Sequence, residues 1–133
     1  MFSSVACGFP SPTEESVEQM TSLDELAVTA PAATFFVRAG GDSMTGAGIF
    51  SGDILVVDRS ITPVHEDIVV AVVHGEFTCK RLLIRDRHIT LHPENTEFAD
   101  IHIAKEHGFF TWGVCTFNLH RLRALRPVKA RRT

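Results

Sequence analysis

The chain has no apolar run approaching the length of about 18 residues that a membrane-spanning helix needs. Its first residues also lack the basic start and apolar stretch of a secretory signal. These absences lead to the expectation of a soluble, cytoplasmic protein without a membrane anchor. Cysteine is scarce: Cys7, Cys79 and Cys115 are odd in number and show no CxxC spacing, which argues against a disulfide framework and a zinc knuckle alike. The seven histidines are scattered. His88 and His92 stand four apart, but their neighbours alternate as in a strand, so no metal site and no other cofactor is expected.

Acidic residues are missing from one end. None occurs after Glu106, while RLRALRPVKARR, residues 121–132, holds six of the 13 basic residues. Such a tail could touch nucleic acid or an acidic surface, and a solvated chain end accounts for it as well. The net charge of −3 leaves no broad basic footprint, so sequence-specific DNA binding is not expected. At 133 residues the chain fits one domain, large enough to bury roughly two thirds of its unfolded surface.

Residues 1–30 read as a flexible arm: FPSPTEES is rich in proline, polar and acidic residues and shows no β-periodicity. Within it, Ser22 followed by Glu25 in SLDEL has the form of a capping box and predicts a short helix over residues 23–28. From Thr34 the pattern changes to short strands. TFFVRA alternates, while ILVV and IVVAVV are continuous β-branched runs of the kind that fill buried strands. His74-Gly75 marks a tight turn into EFTCKRLLI, and HITLH, ADIHI and FFTWGVCTFNL supply further strands. Nothing between them is long enough for a crossover helix, which excludes a βαβ architecture. The expected fold is mostly β, a strongly curved antiparallel sheet or partial barrel over residues 31–126, followed by a basic tail at 127–133.

Two residues stand out for chemistry. GGDSM, residues 40–44, places Ser43 after a glycine pair at the junction of two strands. Gly, Asp and Ser are ordinary turn residues, and the alternative is a serine presented as a nucleophile. Lys80 lies on the strand EFTCKRLLI, in line with Thr78 and Leu82. Its stem could simply cover apolar surface. Burial could instead lower its pKa until the neutral amine acts as a base toward Ser43, a dyad that needs no histidine.

GDSM, then SGDILVVDRS, then GEFTCKRL, in that order, resemble the self-cleaving domain of the LexA and UmuD group, serine peptidases with a Ser/Lys dyad. The likeness runs from about Ala6 to Arg123 and is strongest to the UmuD-like members, through CGFPSP and VEQ as well. It implies a sheet of the LexA C-terminal-domain type and self-cleavage before a glycine, here at Cys7-Gly8. The separations of 36 residues from Cys7 to Ser43 and 37 from Ser43 to Lys80 match that group. It implies Ser43 as nucleophile, Lys80 as base, and the backbone N–H groups of Asp42 and Ser43 as oxyanion donors. It further implies homodimers, with the long strand near residues 109–119 as an interface, and cleavage stimulated by a RecA filament on single-stranded DNA. The shortened product would join a UmuC-like Y-family polymerase in error-prone synthesis past lesions during the SOS response. Only six residues precede Cys7, fewer than in UmuD, and the tail from about Pro127 has no counterpart in that group. A LexA-type repressor would need a helix-turn-helix that 30 residues cannot hold, and a signal peptidase would need a membrane anchor. A non-catalytic β interaction module remains the other alternative.

Overall fold

The computed structural model describes residues 22–104 and 108–124. The expected cleavage site Cys7-Gly8, most of the arm and the basic tail at 127–133 lie outside the described residues. Helix α1, Leu23–Ala27, begins where the capping box places it, with the Ser22 side chain accepting from the Glu25 N–H at 3.2 Å. None of its residues is buried. Leu23 and Leu26 instead line a shallow apolar groove with Phe36, Val56, Phe117 and Leu119. Five residues are too few to hold a helix by themselves, so the cap and this apolar contact carry it.

Seven strands follow: β1 Thr34–Arg38, β2 Ile54–Asp58, β3 Ile68–Val73, β4 Glu76–Arg85, β5 His88–His92, β6 Ile101–His102 and β7 Phe110–Leu119. Each neighbouring pair is antiparallel, in the order β1-β2-β7-β3-β4-β5-β6. The β-branched runs are the most deeply buried: β2 and β3 sit inside the sheet with apolar side chains on both surfaces. Alternation puts Val70 on one surface and Val69 and Ala71 on the other, and the core divides accordingly. One cluster joins Met44, Ile49, Leu55, Val57 and Val70, the other Val69, Ala71, Leu82, Leu91 and Val114. The β3–β4 hairpin turns at His74-Gly75, with φ of 52° and 78°. Positive φ at both central residues is the turn geometry whose twist matches antiparallel strands.

The expectation of a strongly curved sheet or partial barrel is corrected. The sheet is open, neither closed nor strongly curved, and β1 and β6 are opposite edges that do not pair. Closure would require β6 to take β1 as a second neighbour, but β6 spans two residues and pairs with β5 alone. Strand number and alternation are the same for an open and a closed sheet, so the pattern could not separate them. Most of residues 109–119, where an interface is expected, form the interior strand β7. β7 lies between β2 and β3, so its backbone is engaged on both sides, while the Phe117 side chain is exposed.

β7 is irregular against both neighbours, with register shifts opposite Val56/Val57 and Val70/Ala71. Gly113 sits between these shifts, where an added Cβ would lie 2.5 Å from Val57 Cγ1 and 3.2 Å from Arg59 Cγ. Val57 is fully buried and cannot swing away. Gly113→Ala is therefore expected to cost about 1–3 kcal/mol of stability by overpacking. Thermal denaturation checks this, and an unchanged midpoint would mean that β2 shifts to accept the methyl group.

Candidate active site

Ser43 occupies the turn between β1 and a 3-10 turn at Thr45–Ala47. Gly41 takes a φ of 77° with open space around it, so the backbone conformation, not crowding, selects glycine there. The next side chain after the serine acts as a plug: Met44 is buried in the core cluster beside Ile49, Leu55 and Val70. Its carbonyl accepts from the N–H groups of Ala47 at 3.0 Å and Ile49 at 3.2 Å. The base of the loop is tied by Ala39 N–H to Asp53 O at 2.8 Å and Gly52 N–H to Ala39 O at 2.9 Å. Ser43 is thus held by a buried neighbour while its own side chain faces a cleft of about 190 Å³.

Lys80 enters the same cleft from β4. Its Nζ lies 2.9 Å from Ser43 Oγ, 2.8 Å from Thr78 Oγ1 and 3.2 Å from the Cys79 carbonyl oxygen. An ammonium would donate to all three acceptors. A neutral amine has two hydrogens, which Thr78 and the Cys79 carbonyl can take, leaving its lone pair toward the Ser43 hydroxyl. Burial among Val37, Leu55, Val70 and Phe77 penalises the charged form, and this pushes the Lys80 pKa below its ordinary value. The neighbouring Cys79 acts in the opposite direction, by less.

The structure therefore brings together Ser43 and Lys80, which lie 37 residues apart in the chain. It places Asp42 at the start of the same turn, where Thr45 N–H donates to its carbonyl at 3.3 Å. The N–H groups of Asp42 and Ser43 have no hydrogen-bond acceptor among the described residues. Cys7 and Gly8 lie outside the described residues. His92 Nδ1 is 2.6 Å from Asp100, and His92 lines a separate hollow with Thr45, Gly46, Glu94 and Asn95. Among the described residues no cluster of His, Cys, Asp and Glu could hold a metal ion.

Several supports were not foreseen. Asp53 is buried and accepts from Phe50 N–H and Asn118 Nδ2, both at 2.8 Å, with His120 Nδ1 2.6 Å from its other oxygen. That knot fastens the loop after Ser43 to the end of β7. The segment after β5 also grips the loop: Gly46 N–H donates to Glu94 O at 2.7 Å, and Asn95 Nδ2 donates to Asp42 O at 2.8 Å. Arg81, next to the lysine on β4, holds the Glu94 carboxylate at 2.5 Å. Only the PEN triplet signals this segment in the sequence, and it reads as a plain turn.

Comparison with known proteins adds a second line. The family described as Peptidase S24-like matches residues 1–116. Protein ImpA of Salmonella typhimurium is 46% identical over 121 residues, 90% of this chain and 81% of the relative. Protein MucA of Escherichia coli is 45% identical over 116 residues, 86% of this chain and 79% of the relative. The LexA repressor of Frankia casuarinae is 41% identical over 97 residues, 73% of this chain and 38% of the relative.

Proposed function

The chain belongs to the S24-like peptidases and is a self-cleaving serine peptidase of the UmuD and LexA group, active in the SOS response and translesion synthesis, and from that premise we propose that Ser43 and Lys80 cut the Cys7-Gly8 bond of the arm. The observation that carries this reading is the 2.9 Å contact between Lys80 Nζ and Ser43 Oγ at the floor of a cleft. Neutral Lys80 takes the hydroxyl proton as Oγ bonds to the Cys7 carbonyl carbon. The backbone N–H groups of Asp42 and Ser43 hold the oxyanion, a contribution often worth a few kcal/mol. Lys80 then returns its proton to the Gly8 nitrogen as the C–N bond breaks, leaving an ester on Ser43. Water, deprotonated by the same amine, resolves the ester and frees residues 1–7.

Glycine after the cut bond has a physical rationale. Without a β-carbon, Gly8 lets the arm enter closely enough for the Cys7 carbonyl to meet Ser43. A RecA filament on single-stranded DNA would stimulate the reaction by binding the conformer with the arm in the cleft, which shifts its population. The product, residues 8–133, would act as a homodimeric accessory subunit of a UmuC-like Y-family polymerase in the cytoplasm. The groove beside α1, with Phe36 and Phe117 exposed, gives such an assembly an apolar surface to use.

The test is intact mass over time at about pH 10, near the lysine range, beside a Lys80→Ala control. Wild type is expected to lose residues 1–7 and the control to stay whole. A wild type that remains full length there and with RecA filaments added would remove the peptidase reading.

A further inference from the structure

The Asp42–Ser43 peptide is gripped by its carbonyl. Asn95 Nδ2 donates to Asp42 O at 2.8 Å and approaches Thr45 Oγ1 at 3.4 Å, while the Thr45 N–H reaches the same Asp42 carbonyl at 3.3 Å. Asn95 is itself fixed, because its Oδ1 accepts from the Glu97 N–H at 2.9 Å. With a donor on one side and an acceptor on the other, only one orientation of the side-chain amide satisfies both. Its platform is anchored by Gly46 N–H on Glu94 O and by the Arg81–Glu94 ion pair. Gly46 is the residue that permits the approach, since a Cβ there would lie 2.5 Å from Glu94 O.

A trans peptide is planar and its C=O and N–H point in opposite directions. Fixing the Asp42 carbonyl toward Asn95 therefore fixes the Ser43 N–H away from Asn95, where it has no acceptor among the described residues. A donor on the carbonyl also polarises the peptide and strengthens its N–H as a donor. We propose that Asn95 is a positioning residue for self-cleavage, holding the Asp42–Ser43 peptide so that the Ser43 N–H is aimed at the oxyanion. The inference rests on the Ser43/Lys80 reading above. Asn95 does not touch the reacting atoms, and its action is through this one peptide bond.

Asn95→Asp separates this role from support of the loop. The carboxylate keeps the size and still accepts from the Glu97 N–H, but it cannot donate to the Asp42 carbonyl and repels it. The rate of self-cleavage is measured between about pH 7 and 11, across the lysine titration, for wild type, Asn95→Asp and Asn95→Ala, with melting temperatures alongside. Both variants are expected to cleave at least about tenfold more slowly at the alkaline plateau, a part of what loss of an oxyanion donor costs. The pH midpoint set by Lys80 stays in place, and melting stays within about 5 °C of wild type. Asn95→Asp cleaving within about twofold of wild type, or a loss that appears as a displaced midpoint, overturns the assignment. So does failure of both variants to fold, which would make Asn95 a residue of the fold. A wild type that is itself silent overturns the peptidase reading and the role of Asn95 with it, whereas an active wild type beside an equally active Asn95→Asp overturns the role of Asn95 alone.

Discussion

Ser43→Ala is expected to leave the protein full length at every pH, with self-cleavage reduced by at least about 10⁴-fold, because no other group can form the ester. The fold should be untouched. The Ser43 side chain makes its hydrogen bond to Lys80, while the loop around it is held by Met44 in the core and by Glu94 and Asn95 from the segment after β5. Removing one hydroxyl from a cleft wall changes stability by no more than about 1 kcal/mol. Mass spectrometry reads the first expectation and thermal denaturation the second. A Ser43→Ala protein that still sheds residues 1–7 would sink the nucleophile assignment, since an alanine methyl cannot attack a carbonyl.

The second large effect concerns the base. Wild-type self-cleavage should rise with pH and level off below the ordinary lysine value of 10.5, because burial lowers the Lys80 pKa and only the neutral amine can accept a proton. Lys80→Ala should abolish the rise and cost at least about 10²–10⁴-fold at the plateau. Linkage gives an independent check. The unfolded lysine titrates near 10.5 and the folded one lower, so between those two values the unfolded state binds more protons. The Lys80 contribution to stability must therefore increase with pH through that window, and it is unfavourable at pH values below the folded pKa. Denaturant melts of wild type and Lys80→Ala across the window would show their difference changing in that sense. A flat rate profile, or one that falls as the lysine loses its charge, would instead point to the ammonium as the working form.

Much of the sheet was legible because local chemistry decides it. IVVAVV and HITLH became strands over the residues the pattern predicted, and His74-Gly75 became the turn between β3 and β4. β-branched runs and a residue pair that tolerates positive φ carry their conformation with them. The first strand was less regular than its alternation suggested. Phe35 is exposed at 42%, yet its ring lies 5.3 Å from that of Trp112, a half-buried side chain packed against the core cluster, so Phe35 covers the rim of the core without entering it.

By itself the sequence determined which chemistry was available: a serine on a glycine turn, a lysine on an apolar strand and a glycine bond in the arm, in an order that resembles one peptidase group. It could not say whether the lysine reaches the serine. Residues 37 positions apart meet only because β4 crosses the sheet beside β3 and its side chain enters the cleft beside the loop that follows β1. The failure of edges β1 and β6 to pair, the Asp53 knot and the hold of Asn95 on Asp42 were equally invisible. Each is a pairing between distant segments, and such pairings are set by how strands register and pack across the whole sheet, which no local run of residues encodes.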